Sequence, residues 1–238
     1  CLYVKKCRYC NGSLTHNTGV CPYRHLNILS NRTMENYGVQ IISLKDFTIS
    51  KFNLAQCCKY MFAMSDITSQ EDSGTIKGWR IFFDMDGFTL SHFLKFSPAV
   101  VKKCIYYVQE ALPFQLRSIH IINAIPVVNQ ILAMVKPIMK REVYTWRLFL
   151  IQVHTSSERD VKALHAIVPQ ELLPSDFGGK DKSMAELHGN SLKKLESYAD
   201  WFKEEEKFRV DETKRVGRAK DEGEIFGIEG SFRKLCVD

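Results

Sequence analysis

Residues 80–90, "RIFFDMDGFTL", set an apolar run ahead of Asp84-Met85-Asp86-Gly87. A period of two puts Ile81 and Phe83 on one face and Arg80, Phe82 and Asp84 on the other, which predicts a strand closed by an Asp/Gly turn. In that turn the Asp84 carboxylate is expected to accept backbone hydrogen bonds ahead of Gly87. Working outward, residues 38–44 ("GVQIISL"), 118–124 ("SIHIINA") and 147–154 ("RLFLIQVH") predict further strands. Between them the sequence predicts a helix over 54–64 before a polar loop at 69–74, and a helical tract over 90–112 divided at Pro98. A helix from Val127 to Val135 opens at Pro126, and a short one covers 158–168. Strands alternating with helices imply an α/β fold with a mainly parallel sheet. Residues 1–36 read as an irregular, unassigned lead-in and 37–180 as the folded domain. Residues 181–238 read as a C-terminal helix and tail packed on it, with solvated Lys and Glu over 190–220.

The same eleven residues invite a second chemistry. In phosphohydrolases of the haloacid-dehalogenase type, an Asp in the place of Asp84 attacks phosphorus, one in the place of Asp86 protonates the leaving group, and Mg²⁺ holds the phosphate. That reaction also needs a Ser or Thr after another strand, a Lys, and a further acidic pair. The later strands end in "IINAIP" and "IQVHTSS", neither of which supplies two acidic residues, and Phe88 stands where a small hydroxyl residue belongs. A phosphatase built on Asp84 and Asp86 is therefore a remote alternative, and no catalytic residue is expected.

Composition narrows the field further. The chain has 238 residues, 45% hydrophobic and 25% charged, enough for one domain with a sizeable core. A formal charge of +6 suits an anionic membrane surface but falls short of a dedicated nucleic-acid binder, so no nucleic-acid partner is expected. No apolar run reaches the ~18 residues of a membrane span. The eight cysteines, without a secretory leader, favour reduced thiols and a cytoplasmic protein. Cys7-x-x-Cys10, His16 and Cys21 approach a zinc knuckle with one residue too many before His16. Incidental cysteines are the plainer reading, and no metal is expected. His92, His120 and His154 fall at element ends with no Ser or Cys placed to form a triad, so they read as structural.

Taken with the residues downstream of it, the opening stretch resembles the CRAL-TRIO lipid-binding family, of the alpha-tocopherol-transfer type. The matching pieces are Asp84-x-x-Gly87, Ser91-His92, Pro98, Gln109-x-x-Leu112-Pro113, Ile119-His120-x-Ile122-Asn123 and Lys136-Pro137. "LLPSDFGG" at 172–179 is similar to the family's Leu-Pro-x-x-Tyr-Gly-Gly closure with Phe177 in the Tyr place, and "FGIEGSFRKLCVD" is similar to the tails of insect members. Departures accompany these matches. Residues 1–36 show no resemblance to the helical bundle that usually precedes the domain, and Asn123-Ala124-Ile125-Pro126 replaces Asn-x-Pro, so the following helix is expected to start one residue late. Of the basic cluster that grips phosphoinositide headgroups in the tocopherol carrier, Arg117 matches. Gln115, Glu142 and Trp146 do not, while Lys140 and Arg141 lie close by.

The resemblance implies helices on one face of the sheet and a mobile lid helix over an apolar lipid pocket. It implies binding and intracellular transfer of a small hydrophobic ligand (a tocopherol, retinoid or phospholipid), by a monomer peripheral to membranes and without a cofactor. A membrane-recruited interaction module with a degenerate pocket is the alternative. From the opening strand and the helices after it, the lining implied is Ile81, Phe83, Leu94, Tyr107, Val108 and Leu112. The next strand and its approach add Phe114, Leu116, Ile119 and Ile121, and the lid adds Val127, Ile131 and Val135. Arg117, Lys140 and Arg141 are the implied contacts to anionic lipid or phosphoinositide. Periodicity alone is consistent with the lid: Val127, Ile131 and Val135 recur every four residues, Val128 and Leu132 widen the stripe, and the outer Asn129 and Gln130 are uncharged.

Overall fold

The computed structural model describes residues 24–29, 32–44, 46–72, 76–110, 112, 114–139, 151–154, 162–205, 207–208 and 214. At its centre is β3, Gly78–Asp84, in a sheet that, among the described residues, has five strands in sequence order. The others are β1 (Arg24–Ile28), β2 (Tyr37–Leu44), β4 (Leu116–Ile122) and β5 (Ile151–Val153). Strands β2 to β5 pair in parallel, and β1 runs antiparallel to β2.

Strand β1 corrects the expectation of an irregular lead-in through residue 36. Its sequence, RHLNI, hides the strand because Asn27 occupies a fully buried position. Burial is tolerated because the amide Nδ2 donates to the Met184 carbonyl at 2.8 Å.

The connecting helices follow the local chemistry. Helix α1, Leu54–Glu71, starts where the Asn53 side chain accepts from the Gln56 amide, and it runs a full two turns beyond the predicted 54–64. The tract over 90–112 divides as expected into α2, Leu90–Phe93, and α3, Pro98–Glu110, with Pro98 at the first helical position where its missing N–H costs nothing. Helix α4 is Val127–Val135, with Pro126 as its N-cap. Helices α5 (Lys162–Ile167), α6 (Met184–Ser197) and α7 (Ala199–Glu205) follow. The α6 start carries a Ser183/Glu186 capping box. Its Lys and Glu are on the outside, while Met184, Leu187, His188 and Leu195 are buried, so this segment is more than a solvated appendage.

The period of two sorts the sheet into two cores. Val39, Ile41, Phe82 and Ile122 share one cluster with Leu164, Val168, Leu173, Phe177, Met184 and Leu187, which come from α5, the closing turn and α6. Ile42 and Ile81 share the opposite cluster with Tyr60, Ala63, Met64 and Ile67 of α1 and with Leu195 and Phe202. The parallel β3–β4 register, Ile81 to Ile119 and Phe82 to His120, keeps the two sets apart.

The "LLPSDFGG" turn closes the first core with a short 3₁₀ segment, Ser175–Phe177, and buries Phe177. The Asp176 carboxylate accepts from the Met184 amide at 2.5 Å, joining the turn to α6. At Gly179 a side chain has no room, since a Cβ there would overlap the Leu173 carbonyl. We expect Gly179→Ala to lower the unfolding free energy by roughly 1–3 kcal/mol, as other core overpacking changes do, measured by urea denaturation.

Candidate functional site

At the C-terminal ends of the central strands a third cluster forms. Leu44, Phe52, Met85, Phe88 and Ile121 pack with Val127 and Val128 of α4, and the half-buried Ile131 and Leu132 extend the helix's inner face. Asn129 and Gln130 are exposed, as the sequence predicted. Phe83 and Ile119 touch both this cluster and the one under α1, so the two apolar regions are continuous across β3 and β4.

Most of the predicted lining falls in that continuous region. Ile81 and Leu116 are buried in the cluster under α1, and Val108 and Leu112 pack against it. Ile121, Val127 and Ile131 belong with α4, and Val135 is half-buried at its end. Phe114 lies 5.2 Å from the Trp79 ring. Tyr107 faces Phe62 of α1, ring centroids 3.9 Å apart, and its hydroxyl donates to the buried Asp66 carboxylate at 3.4 Å. Burial and the Asp66 charge together push the Tyr107 hydroxyl above its ordinary range. Leu94 is the exception: it caps α2 on the surface, 74% exposed, and lines nothing. A cleft of about 160 Å³ opens between Ile28, Gln40, Ser65, Thr68, Trp79 and Phe114. The cleft is open to solvent and encloses no room even for a water molecule, so admitting a lipid here means parting the helices from the sheet.

Leu94 belongs to a feature the sequence did not expose. Phe47, Ile49, Leu90 and Leu94 are 52%, 39%, 55% and 74% exposed, and contacts between their two segments hold them together. His92 supplies the main tie: its Nδ1 accepts from the Thr89 amide at 3.1 Å, which leaves Nε2–H to donate to the Phe47 carbonyl at 3.1 Å. Lys95 Nζ donates to the Ser50 carbonyl at 3.3 Å. The Phe47 ring lies over Gly87, whose φ of +70° and missing Cβ make the approach possible. Nothing in the sequence ties Leu90 and Leu94 to a loop some forty residues earlier.

The turn at Asp84 behaves as predicted and does more. Oδ1 accepts from the Asp86 amide at 3.0 Å and from Asn123 Nδ2 at 2.8 Å. Arg117 is exposed at the far end of β4, its guanidinium 6.0 Å from the Tyr37 ring, with Arg80 4.8 Å from the same ring. Lys140 and Arg141, and the candidate zinc ligands Cys7, Cys10, His16 and Cys21, lie outside the described residues.

Residues 24–179 match the model of the CRAL/TRIO domain. The chain belongs to the CRAL/TRIO family. It is 27% identical over 155 residues to an alpha-tocopherol transfer protein-like protein of Mus musculus, and 26% over 155 residues to that of Homo sapiens. In both cases the match takes in 65% of this chain and 43% of the relative. Clavesin-2 of Rattus norvegicus is 22% identical over 148 residues, 61% of this chain and 43% of the relative. The chain therefore spans less than half the length of these relatives. Among the described residues of this CRAL/TRIO domain, no helix is long and apolar enough to cross a membrane.

On the sheet face away from α4, the CRAL/TRIO domain buries His120 beside the half-buried His154. His120 Nδ1 is 3.2 Å from His154 Nε2, His120 Nε2 is 2.9 Å from Ser118 Oγ, and the His120 ring stacks on Phe82 at 4.6 Å. Burial, then the His154 and Arg80 charges, push the His120 imidazole down to about 4. Because the folded value lies below the unfolded ~6.5, the unfolded chain takes the proton first and acid favours unfolding. This contribution is complete above about pH 6.5 and lost as pH falls toward 4. Urea midpoints taken from pH 7.5 downward should fall across that window, and His120→Asn should flatten the fall.

Proposed function

We propose that this chain holds one small hydrophobic ligand between the sheet and its α1/α3/α4 side, and passes it to and from membranes. The observation that carries the reading is α4 itself. Residues 127–135 contain no charged side chain, and their inner face covers sheet residues that are continuous with the apolar region under α1. A short uncharged helix thus covers the strand-end part of an apolar surface that continues under α1 and α3, and a movable cover of this kind is what a carrier needs. Membership of the CRAL/TRIO family and the tocopherol-transfer-like relatives support the same ligand class, with a tocopherol, a retinoid or a phospholipid as the candidates.

Energetics set the mechanism. Lifting a lipid from a bilayer gives up about 0.8 kcal/mol per CH₂, which a continuous apolar wall can replace and a half-open groove cannot. Release then has to occur where α4 can swing into another apolar medium. The exposed Phe47, Ile49, Leu90 and Leu94 beside it supply apolar surface for a bilayer, and Lys95 a charge for anionic headgroups. The reading assigns no catalytic residue, and it has the chain act as a monomer at the cytoplasmic face of membranes. The small cleft favours a second reading, a membrane-recruited module whose pocket no longer takes a ligand.

Native mass spectrometry after expression in lipid-rich cells should find one co-purified lipid per chain; an empty protein under several lipid supplies would favour the second reading. Ile131→Asp should lose that lipid by setting a carboxylate against it, whereas Gln130→Asp on the outer face should keep it. On vesicles of phosphatidylcholine with phosphatidylserine, Leu90→Asp/Leu94→Asp should bind at least roughly ten-fold more weakly while retaining lipid, since each buried leucine is worth about 1.5–3 kcal/mol.

A further inference from the structure

The Asp84 turn and the base of α4 meet at one contact that neither the fold nor the carrier reading requires. Asn123 follows β4 directly and adopts φ of 51°, in the left-handed region that non-glycine residues rarely enter. Its side-chain amide donates to Asp84 Oδ1 at 2.8 Å, across 39 residues of chain. Beyond it the backbone is held by the Ala124 N–H to the His154 carbonyl at 3.2 Å, and α4 begins three residues later. Asn tolerates the left-handed region better than most residues, and here the carboxylate of Asp84 holds its side chain in that bend.

We infer that the Asp84–Asn123 contact is a latch on α4: it fixes the backbone bend at the helix base, and its rupture is the first step of lid opening. Asp84 and Asn123 are positioning residues in this scheme, acting on exchange through the bend and not by touching cargo. The inference rests on α4 being the cover, as in the carrier reading. Asp84 is the residue that the sequence offered as a nucleophile; here its carboxylate is instead a fixed acceptor, already serving the Asp86 amide at 3.0 Å.

The test uses hydrogen exchange of the whole chain, so that no ligand need be known. Asn123→Asp keeps a residue that tolerates the left-handed bend but sets a second carboxylate within hydrogen-bonding distance of Asp84. At neutral pH the two repel and the latch opens. Protection factors for the amides of 127–135 should then fall about ten-fold, the usual worth of one charge-assisted hydrogen bond, while those of β2 and β3 hold. As pH falls from about 7.5 toward about 4.5 one proton becomes shared between the carboxylates and protection should return. Asp86 in the same turn and His154, which holds Ala124, are the neighbouring titratable groups. Both are present in the wild type, so its profile over the same range removes their share. Asn123→Gly, which accepts the bend but cannot make the bond, should lose protection at every pH. Unchanged protection of 127–135 in both variants, or an equal loss across the sheet, would refute the latch. Transfer of pyrene-labelled phosphatidylcholine between vesicles, run on the same variants, separates the two readings: raised exchange with unchanged transfer leaves the latch standing and counts against the carrier.

Discussion

Ile81 and Phe82 are neighbours in one strand, yet they end in different cores, and the remainder of the molecule is arranged around that division. A parallel strand buried on both faces demands cover on each side, because an uncovered apolar face would stay in contact with water. The register between β3 and β4 carries the division across the sheet: Phe82 lies beside His120, and Ile81 beside Ile119. A slip of one residue would exchange the faces and set Arg80 and Asp84 into the apolar region beneath α4.

Each face is covered by a different kind of structure. Residues 162–187 seal the first with a short helix, a glycine turn and the start of a long helix, tied by the Asp176 carboxylate and by the fit of Gly179 against Leu173. The second is covered by α1 and α3, and toward the strand ends by α4, which reaches the sheet through a short bend. At the end of α1, Glu71 meets both Lys194 at 2.7 Å and Tyr198 at 3.3 Å, so the C-terminal helices brace the second side as well.

Much of this was legible in the residues. Alternation in "WRIFFD" and "SIHIIN" identified the central strands and their inner faces, Pro98 marked a helix start, and the four-residue recurrence from Val127 picked out the apolar stripe of α4. What stayed hidden shares a physical cause: it depends on pairs distant in sequence. Asn27 disguised β1 because its partner, the Met184 carbonyl, lies 157 residues away. Leu94 was implied as lining by the resemblance, and its exposure of 74% beside the Phe47 loop shows it facing outward. Asp84 carried its turn in the sequence, but not its bond to Asn123.

The distribution of full burial has a consequence of its own. Phe82, Ile41, Ile122, Leu164, Leu173, Val39 and Val168 are among the largest fully buried side chains, and all belong to the core away from α4. The cluster under α4 contains none of them. Tyr107 and Ile67 toward α1, and His92 against Phe52 and Phe88, are also fully buried, so the looser packing is local to the hydrophobic cluster under α4. The free energy of local opening should be lowest there. The two regions should then age differently under mutation. Substitutions behind the sheet are filtered by whether the chain folds, while those beneath α4 are filtered by what the molecule must accommodate, so that cluster is freer to diversify.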